Sequence, residues 1–299
     1  YFSAEQVDAI AAAIDNIERG SGYILGDQTG IGKGRVVAAT IRYAIRKGWT
    51  PVFVTEKPDL YGDMFRDMKD IGLEKMLGHE PRALMTNTGE SVPLDEEALS
   101  WKQEADQARA DGQPIPKRRG RFLTAGGKPA QDKAMAAIAA GKGEHDIVFT
   151  TYDQMNTIKK QETDRRRFLR QIIPNALLIL DESHNAGGQG EKLFKAKHGD
   201  APDRAEYVRG LVKGAAGVVY SSATFAKRPD VMDLYARTDM GKAVDDPKML
   251  PALIQKGGVP MQQIVASMLS NAGQYMRRER SFEGVEYAVE PVPVDEKTY

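Results

Sequence analysis

Apolar residues recur along this chain with two different periods, and the way the periods alternate predicts a fold class. From Ser3 to Arg19, Val7, Ile10, Ile14 and Ile17 fall at the three- and four-residue spacing that lines one side of a helix. Ser3 and Gln6 at its start fit a capping box, in which each side chain bonds the other residue's backbone N–H. Residues 22–25 (GYIL) are a short apolar run and read as a strand. Residues 35–48 return to helical spacing and stop at Gly48. PVFVT (51–55) is a second strand, and 59–72 is a helix closed by glycine. Helix, strand, helix, strand, helix in succession predicts an α/β fold, a mostly parallel sheet with helices on both faces.

Between residues 86 and 143 the pattern changes. This stretch is polar and reads as a partly flexible insertion, with helices near 96–110 and 130–140 and a loop at GQPIPKRRGRF. The alternation then resumes: DIVFTTY (146–152) as a strand, 166–173 as a helix, an apolar strand from Ala176 to Leu180, and GVVYSSATF (217–225) as a further strand. From about residue 240 to 299, Met-containing helices precede GVEYAVEPVPV, which alternates like a strand. Neither an internal repeat nor a low-complexity tract is visible. The expectation is one lobe over 1–299, with an insertion at 86–143 and a C-terminal extension at 240–299.

The bulk numbers narrow the class. Hydrophobic residues make up 41% of 299, enough for a full core. No apolar run approaches the length of a membrane span, and no charged-then-apolar leader opens the chain, so a cytoplasmic protein is expected, or a nuclear one in a eukaryote. There is no cysteine, which excludes disulfides and thiolate metal sites. The first residue is Tyr1 rather than Met, which suggests a piece of something longer. Basic and acidic residues balance at 42 each, so total charge offers no argument for nucleic acid. Three local clusters remain: Lys117–Arg118–Arg119–Gly120–Arg121, Arg165–Arg166–Arg167, and Arg277–Arg278–Glu279–Arg280. Each reads either as solvated surface or as a patch for phosphates.

Chemistry enters at LGDQTGIGKGR, residues 25–35. A strand, then glycines, then a helix aims free backbone N–H groups at an anion. In that reading Thr29, Gly30, Ile31 and Gly32 wrap a triphosphate with their backbone, and Lys33 reaches its terminal phosphates. Gly34 stands where the usual pattern has a serine or threonine whose hydroxyl helps hold magnesium. Water or Thr29 could take its place. Arg35 sits in the first helical turn, where a cation is disfavoured; either an anion lies near it or the side chain turns outward. The alternative is an ordinary strand-to-helix turn. Asp181, at the end of the apolar strand, is placed to bind Mg2+, and Glu182 to take a proton from attacking water. As an isolated pair they would read as carboxylates at a helix N-terminus. Ser222 to Thr224 end the next strand, where an N-cap is the default reading.

Taken in order, these segments resemble superfamily 2 helicases and translocases: LGDQTGIGKG as the first motif, LILDESH as the second, SSAT as the third. Gly-Lys-Gly-Arg, DESHNAGG, SSATFAKRP and RRERSFEGVEY together narrow the resemblance to the strawberry notch family, including bacterial and phage proteins in which such a module is sometimes coupled to a methyltransferase. The resemblance implies a RecA-like P-loop NTPase lobe, the first of two, binding ATP and Mg2+ and coupling hydrolysis to movement on nucleic acid, with DNA the favoured track. It implies catalytic roles for Lys33, Asp181 and Glu182, coupling roles for His184, Ser222 and Thr224, and an adenine contact for Gln6. The capping box accounts for Gln6 equally well. Lys57, Thr150, Thr151 and Tyr152 fall where that superfamily touches the nucleic-acid backbone; ordinary strand-end capping is their other reading. A second lobe, with an arginine finger worth about 10³–10⁵ in rate, is expected outside residues 1–299, although Arg277, Arg278 or Arg280 could be proposed for that part. The competing function is a regulatory module that uses ATP as a switch and binds proteins through residues 86–143. A GTPase fits less well, since no asparagine is followed by lysine, and so does a metalloprotease, since His-Glu-x-x-His is absent.

Overall fold

In the computed structural model, residues 1–28, 30–187, 203–223 and 228–278 are described. The elements follow the predicted alternation. Helix α1 (Ala4–Glu18) leads to β1 (Gly22–Leu25), α2 (Lys33–Arg46), β2 (Thr50–Thr55), α3 (Leu60–Asp70), α4 (Leu73–Leu77) and β3 (Ala83–Met85). Then come β4 (Ser91–Pro93), α5 (Glu96–Ala110), β5 (Phe122–Thr124), α6 (Lys128–Ala139) and β6 (Ile147–Thr151). The chain continues through α7 (Asp164–Ile172), β7 (Ala176–Asp181), α8 (Arg204–Gly214), β8 (Gly217–Ser221), α9 (Leu250–Asn271) and β9 (Tyr275–Met276).

Seven strands form one sheet in the order β3-β6-β2-β7-β8-β1-β9, and every pairing in it is parallel. The fold is a RecA-like P-loop NTPase fold. Its strands are apolar on both faces, as a doubly covered parallel sheet requires. Along β2 and β7, Val52, Val54, Leu178 and Leu180 point to one side, where Phe168, Leu169, Val208 and Leu211 of α7 and α8 cover them. Phe53, Leu177 and Ile179 point to the other, against Val37 and Ile41 of α2 and Phe65 of α3.

Two expectations need correction. The second helix of the 86–143 stretch, α6, belongs to the covering layer of the main sheet: the Gln131 side-chain amide donates to Met85 O of β3 at 2.8 Å. The remainder is structured too, with β4 and β5 paired antiparallel beside α5. The polar character of the stretch comes from α5, whose buried positions are just Ala98 and Ala105. Second, part of the C-terminal extension returns to the sheet, since β9 pairs with β1 through Ile24↔Tyr275 and Leu25↔Met276. The segment GVEYAVEPVPV lies outside the described residues.

Candidate active site

The site forms at the carboxyl ends of β1, β2, β7 and β8, where the strand order reverses. After β1 the chain passes through Gly30 at φ 86° and Gly32 at φ 82°, left-handed conformations that favour glycine. Gly32 is the N-cap of α2 and no side chain caps this helix, so its first-turn N–H groups are open to an anion. Gln6 forms the expected capping box and also reaches the phosphate loop. Its Oε1 accepts from Ser3 N at 3.0 Å and its backbone N–H donates to Ser3 Oγ at 3.3 Å, while its Nε2 donates to Gly32 O at 3.2 Å. The anion beside Arg35 is protein: its guanidinium pairs with Asp70 of α3 at 3.1 Å on the surface.

Strand register positions the acids. The pairing Val54↔Leu180 carries Thr55 up to Asp181, and Asp181 itself pairs with Ser221. Accordingly the Thr55 hydroxyl donates to Asp181 Oδ2 at 3.2 Å, and Ser221 Oγ donates to Oδ1 at 2.9 Å. Burial pushes the Asp181 carboxyl above the usual range, and the ammonium of Lys33 opposes that rise. Glu182 adopts φ 43°, a left-handed conformation rarely taken by a non-glycine residue. This turn brings its Oε1 within 3.4 Å of Lys33 Nζ and its Oε2 within 3.4 Å of His184 Nδ1. His184 Nδ1 also lies 3.1 Å from Ser222 Oγ, and Ser222 N donates to Leu25 O at 3.0 Å. A chain of contacts thus runs from Lys33 through Glu182, His184 and Ser222 back to β1.

The residues fit a magnesium nucleotide. Among the described residues no three His, Asp or Glu side chains converge on one point. That suits Mg2+, which is held by one or two carboxylates, waters and substrate phosphates rather than by an all-protein cage. Asp181 would be the carboxylate, with Lys33 and the open end of α2 facing the phosphates.

A phosphate loop joined to an acid pair on the strand two places away is the arrangement of nucleotide hydrolases. The profile of the family described as P-loop containing NTP hydrolase pore-1 matches residues 1–299. The chain belongs to that family. Its curated relatives include protein strawberry notch homolog 2 of Homo sapiens, 24% identical over 308 residues and covering 98% of this chain but 18% of that protein. Protein strawberry notch of Drosophila melanogaster is 25% identical over 290 residues, with 93% of this chain and 14% of that protein covered. This chain therefore spans less than a fifth of the length of either relative. Among solved structures, the Sulfolobus solfataricus SWI2/SNF2 ATPase core in complex with dsDNA aligns over 93% of this chain and 44% of that one, at 13% identity and a TM-score of 0.49.

Of the expected site residues, Lys33, Glu182, His184 and Ser222 are linked by contacts beside Asp181, whereas Arg35 turns to Asp70. Lys57 is exposed. Thr150, Thr151 and Tyr152 are buried and bonded internally: Thr150 accepts from Thr86 at 2.8 Å, Thr151 accepts from Asn87 at 3.1 Å, and the Tyr152 hydroxyl donates to Asp181 O at 2.8 Å. Their side chains serve the strand ends and the acid turn. The basic clusters are likewise engaged. Arg119 pairs with Glu104 and Arg121 with Glu80, Arg118 stacks 4.0 Å over Phe122, and Arg166 stacks 4.0 Å over Tyr207. Arg278 is not placed as a finger, because its guanidinium pairs with Asp27 of the phosphate loop, which is fully buried. Thr29, Thr224 and Arg280 lie outside the described residues.

Sequence reasoning missed Thr55 and Ser221, which register alone brings to Asp181, and it missed the Asp27–Arg278 pair. Asp27 did carry a signal: a carboxylate inside a phosphate loop needs a cation, and the tail holds a run of arginines.

Proposed function

We propose that this chain is the ATP-binding first lobe of a superfamily 2 nucleic-acid motor, one that hydrolyses ATP slowly without its second lobe. One observation carries the reading: Lys33 of the phosphate loop and Glu182 of the acid turn meet at 3.4 Å, beside an Asp181 held from both sides by hydroxyls. In the nucleotide-free protein Lys33 and Glu182 neutralise each other. A triphosphate on the open end of α2 would draw the ammonium away and leave Glu182 free to accept a proton from water. His184, touching both Glu182 and Ser222, would pass that change to β8 and β1. Mg2+ would supply neutralisation of phosphate charge at Asp181. In a longer protein a second lobe would add the arginine finger, and DNA would be the track.

Calorimetric titration with ATP in magnesium tests the nucleotide site. Binding is expected for the wild type and a loss of at least tenfold for Lys33→Ala. Glu182→Gln should keep binding and abolish turnover. Absence of heat with the wild type would sink the proposal. The second reading, a regulatory ATP switch, is favoured by the burial of Thr150, Thr151 and Tyr152. It predicts the same ATP binding with no salt-sensitive affinity for single- or double-stranded DNA.

A further inference from the structure

Gly34 leaves the phosphate loop one oxygen short, since the serine or threonine that usually follows the lysine gives its hydroxyl to magnesium. The space is not empty. A Cβ on Gly34 would lie 2.9 Å from Cγ of Asp67 and nearer still to its Oδ2, closer than non-bonded atoms approach. The carboxylate oxygen therefore stands about where a side chain on residue 34 would begin. Asp67 comes from α3, and helix packing holds it there. One turn on, Asp70 pairs with Arg35 at 3.1 Å, and the Arg42 guanidinium donates to Ile71 O at 3.2 Å, so α3 is fastened to α2 on the far side of Asp67. The Asp67 side chain is half-buried and, among the described residues, receives no hydrogen bond from any donor. Gly34 itself does not have a positive φ. Its lack of a side chain is thus a matter of space, and the atom using that space is an oxygen suited to a hard cation.

We infer that Asp67 supplies from α3 the oxygen that the loop lacks at Gly34, and that it positions the nucleotide's Mg2+ directly or through a metal-bound water. The inference rests on the proposed ATP site. It has a consequence that a hydroxyl would not have. A carboxylate repels a metal-free triphosphate and attracts the metal-bound one, so the gain in ATP affinity on adding Mg2+ should be large and should depend on the charge at residue 67.

The test is calorimetry with ATP in EDTA and in excess Mg2+, on wild type and Asp67→Asn, with thermal melting as a check on folding. Asp67→Asn should bind metal-free ATP more tightly and magnesium ATP more weakly, shrinking the magnesium-dependent gain about tenfold or more. A reciprocal exchange gives a second measurement. Gly34→Thr alone should impair binding by collision with Asp67, whereas Gly34→Thr with Asp67→Ala should restore the gain through a conventional hydroxyl. An equal change in both conditions for Asp67→Asn, or no rescue in the double variant, would overturn the inference while leaving the ATP site intact. Failure of the wild type to bind ATP in either condition would instead overturn the ATP site on which it depends.

Discussion

Single residues show how much of this site is conformational. Gly32 and Gly48 share left-handed backbone, at φ 82° and 75°, but a Cβ at Gly48 would meet nothing within 4 Å while one at Gly32 would strike the Gln6 amide. Alanine at Gly48 should cost about 1–2 kcal/mol of stability through strain alone and leave ATP affinity unchanged. Alanine at Gly32 should lose ATP binding as well, which titration of the two variants side by side would show. Asp181 is the opposite case, a residue kept against stability. Burial raises its carboxyl pKa, so ionisation above that pKa destabilises the nucleotide-free fold. Asp181→Asn should therefore raise the Tm by a few degrees at neutral pH without metal or nucleotide. The advantage should fade as pH falls through the raised pKa, because the wild-type carboxyl then takes up its proton. A lower Tm for Asp181→Asn at neutral pH would contradict this account. Residues such as Lys33, Asp181 and Glu182 were legible because strand, glycine loop and acid pair occur in a fixed order. Thr55, Ser221 and Asp67 were not, since their roles come from register and helix crossing.

At the level of elements, length decided what could be read. Strands β1, β2, β6 and β7 are apolar runs of four to six residues and stand out from their flanks. Strands β3, β4, β5 and β9 have two or three residues, too few for any period to show. Helix α8 went unread, although Tyr207, Val208, Leu211 and Val212 fall at helical spacing. The most consequential of the short strands is β9, because Arg278 follows it. Arg278 N donates to Asp27 Oδ1 at 2.9 Å and its Nε to Oδ2 at 3.0 Å, while Gly26 N donates to Met276 O at 2.7 Å. Removing the guanidinium strands a fully buried carboxylate. Arg278→Ala should lose about 3–5 kcal/mol in urea denaturation, and Asp27→Asn added to Arg278→Ala should recover part of it. Equal stability of Arg278→Ala and wild type would show that the pair contributes nothing.

Across the whole molecule, charge is balanced globally, and Arg119, Arg121, Arg167 and Arg278 of the arginine clusters each pair with an acidic residue. DNA affinity of residues 1–299 should accordingly be weak and its salt dependence shallow, a slope equivalent to one or two phosphates at about 0.9 per contact. Fluorescence anisotropy across a salt series would measure it, and a steep slope would mean that an unrecognised basic surface is at work. The fold class was readable from alternation alone. The order of strands was not, because nothing local tells β1 to insert between β8 and β9.

That insertion has a consequence for how the protein is made. Asp27 and Arg278 are 251 residues apart in sequence, and β1 has no strand neighbour at all until β8 has left the ribosome. At translation rates of about 5–20 residues per second, the phosphate loop waits tens of seconds for its support. A nascent chain should therefore acquire affinity for ATP late and abruptly, when the last edge strand emerges.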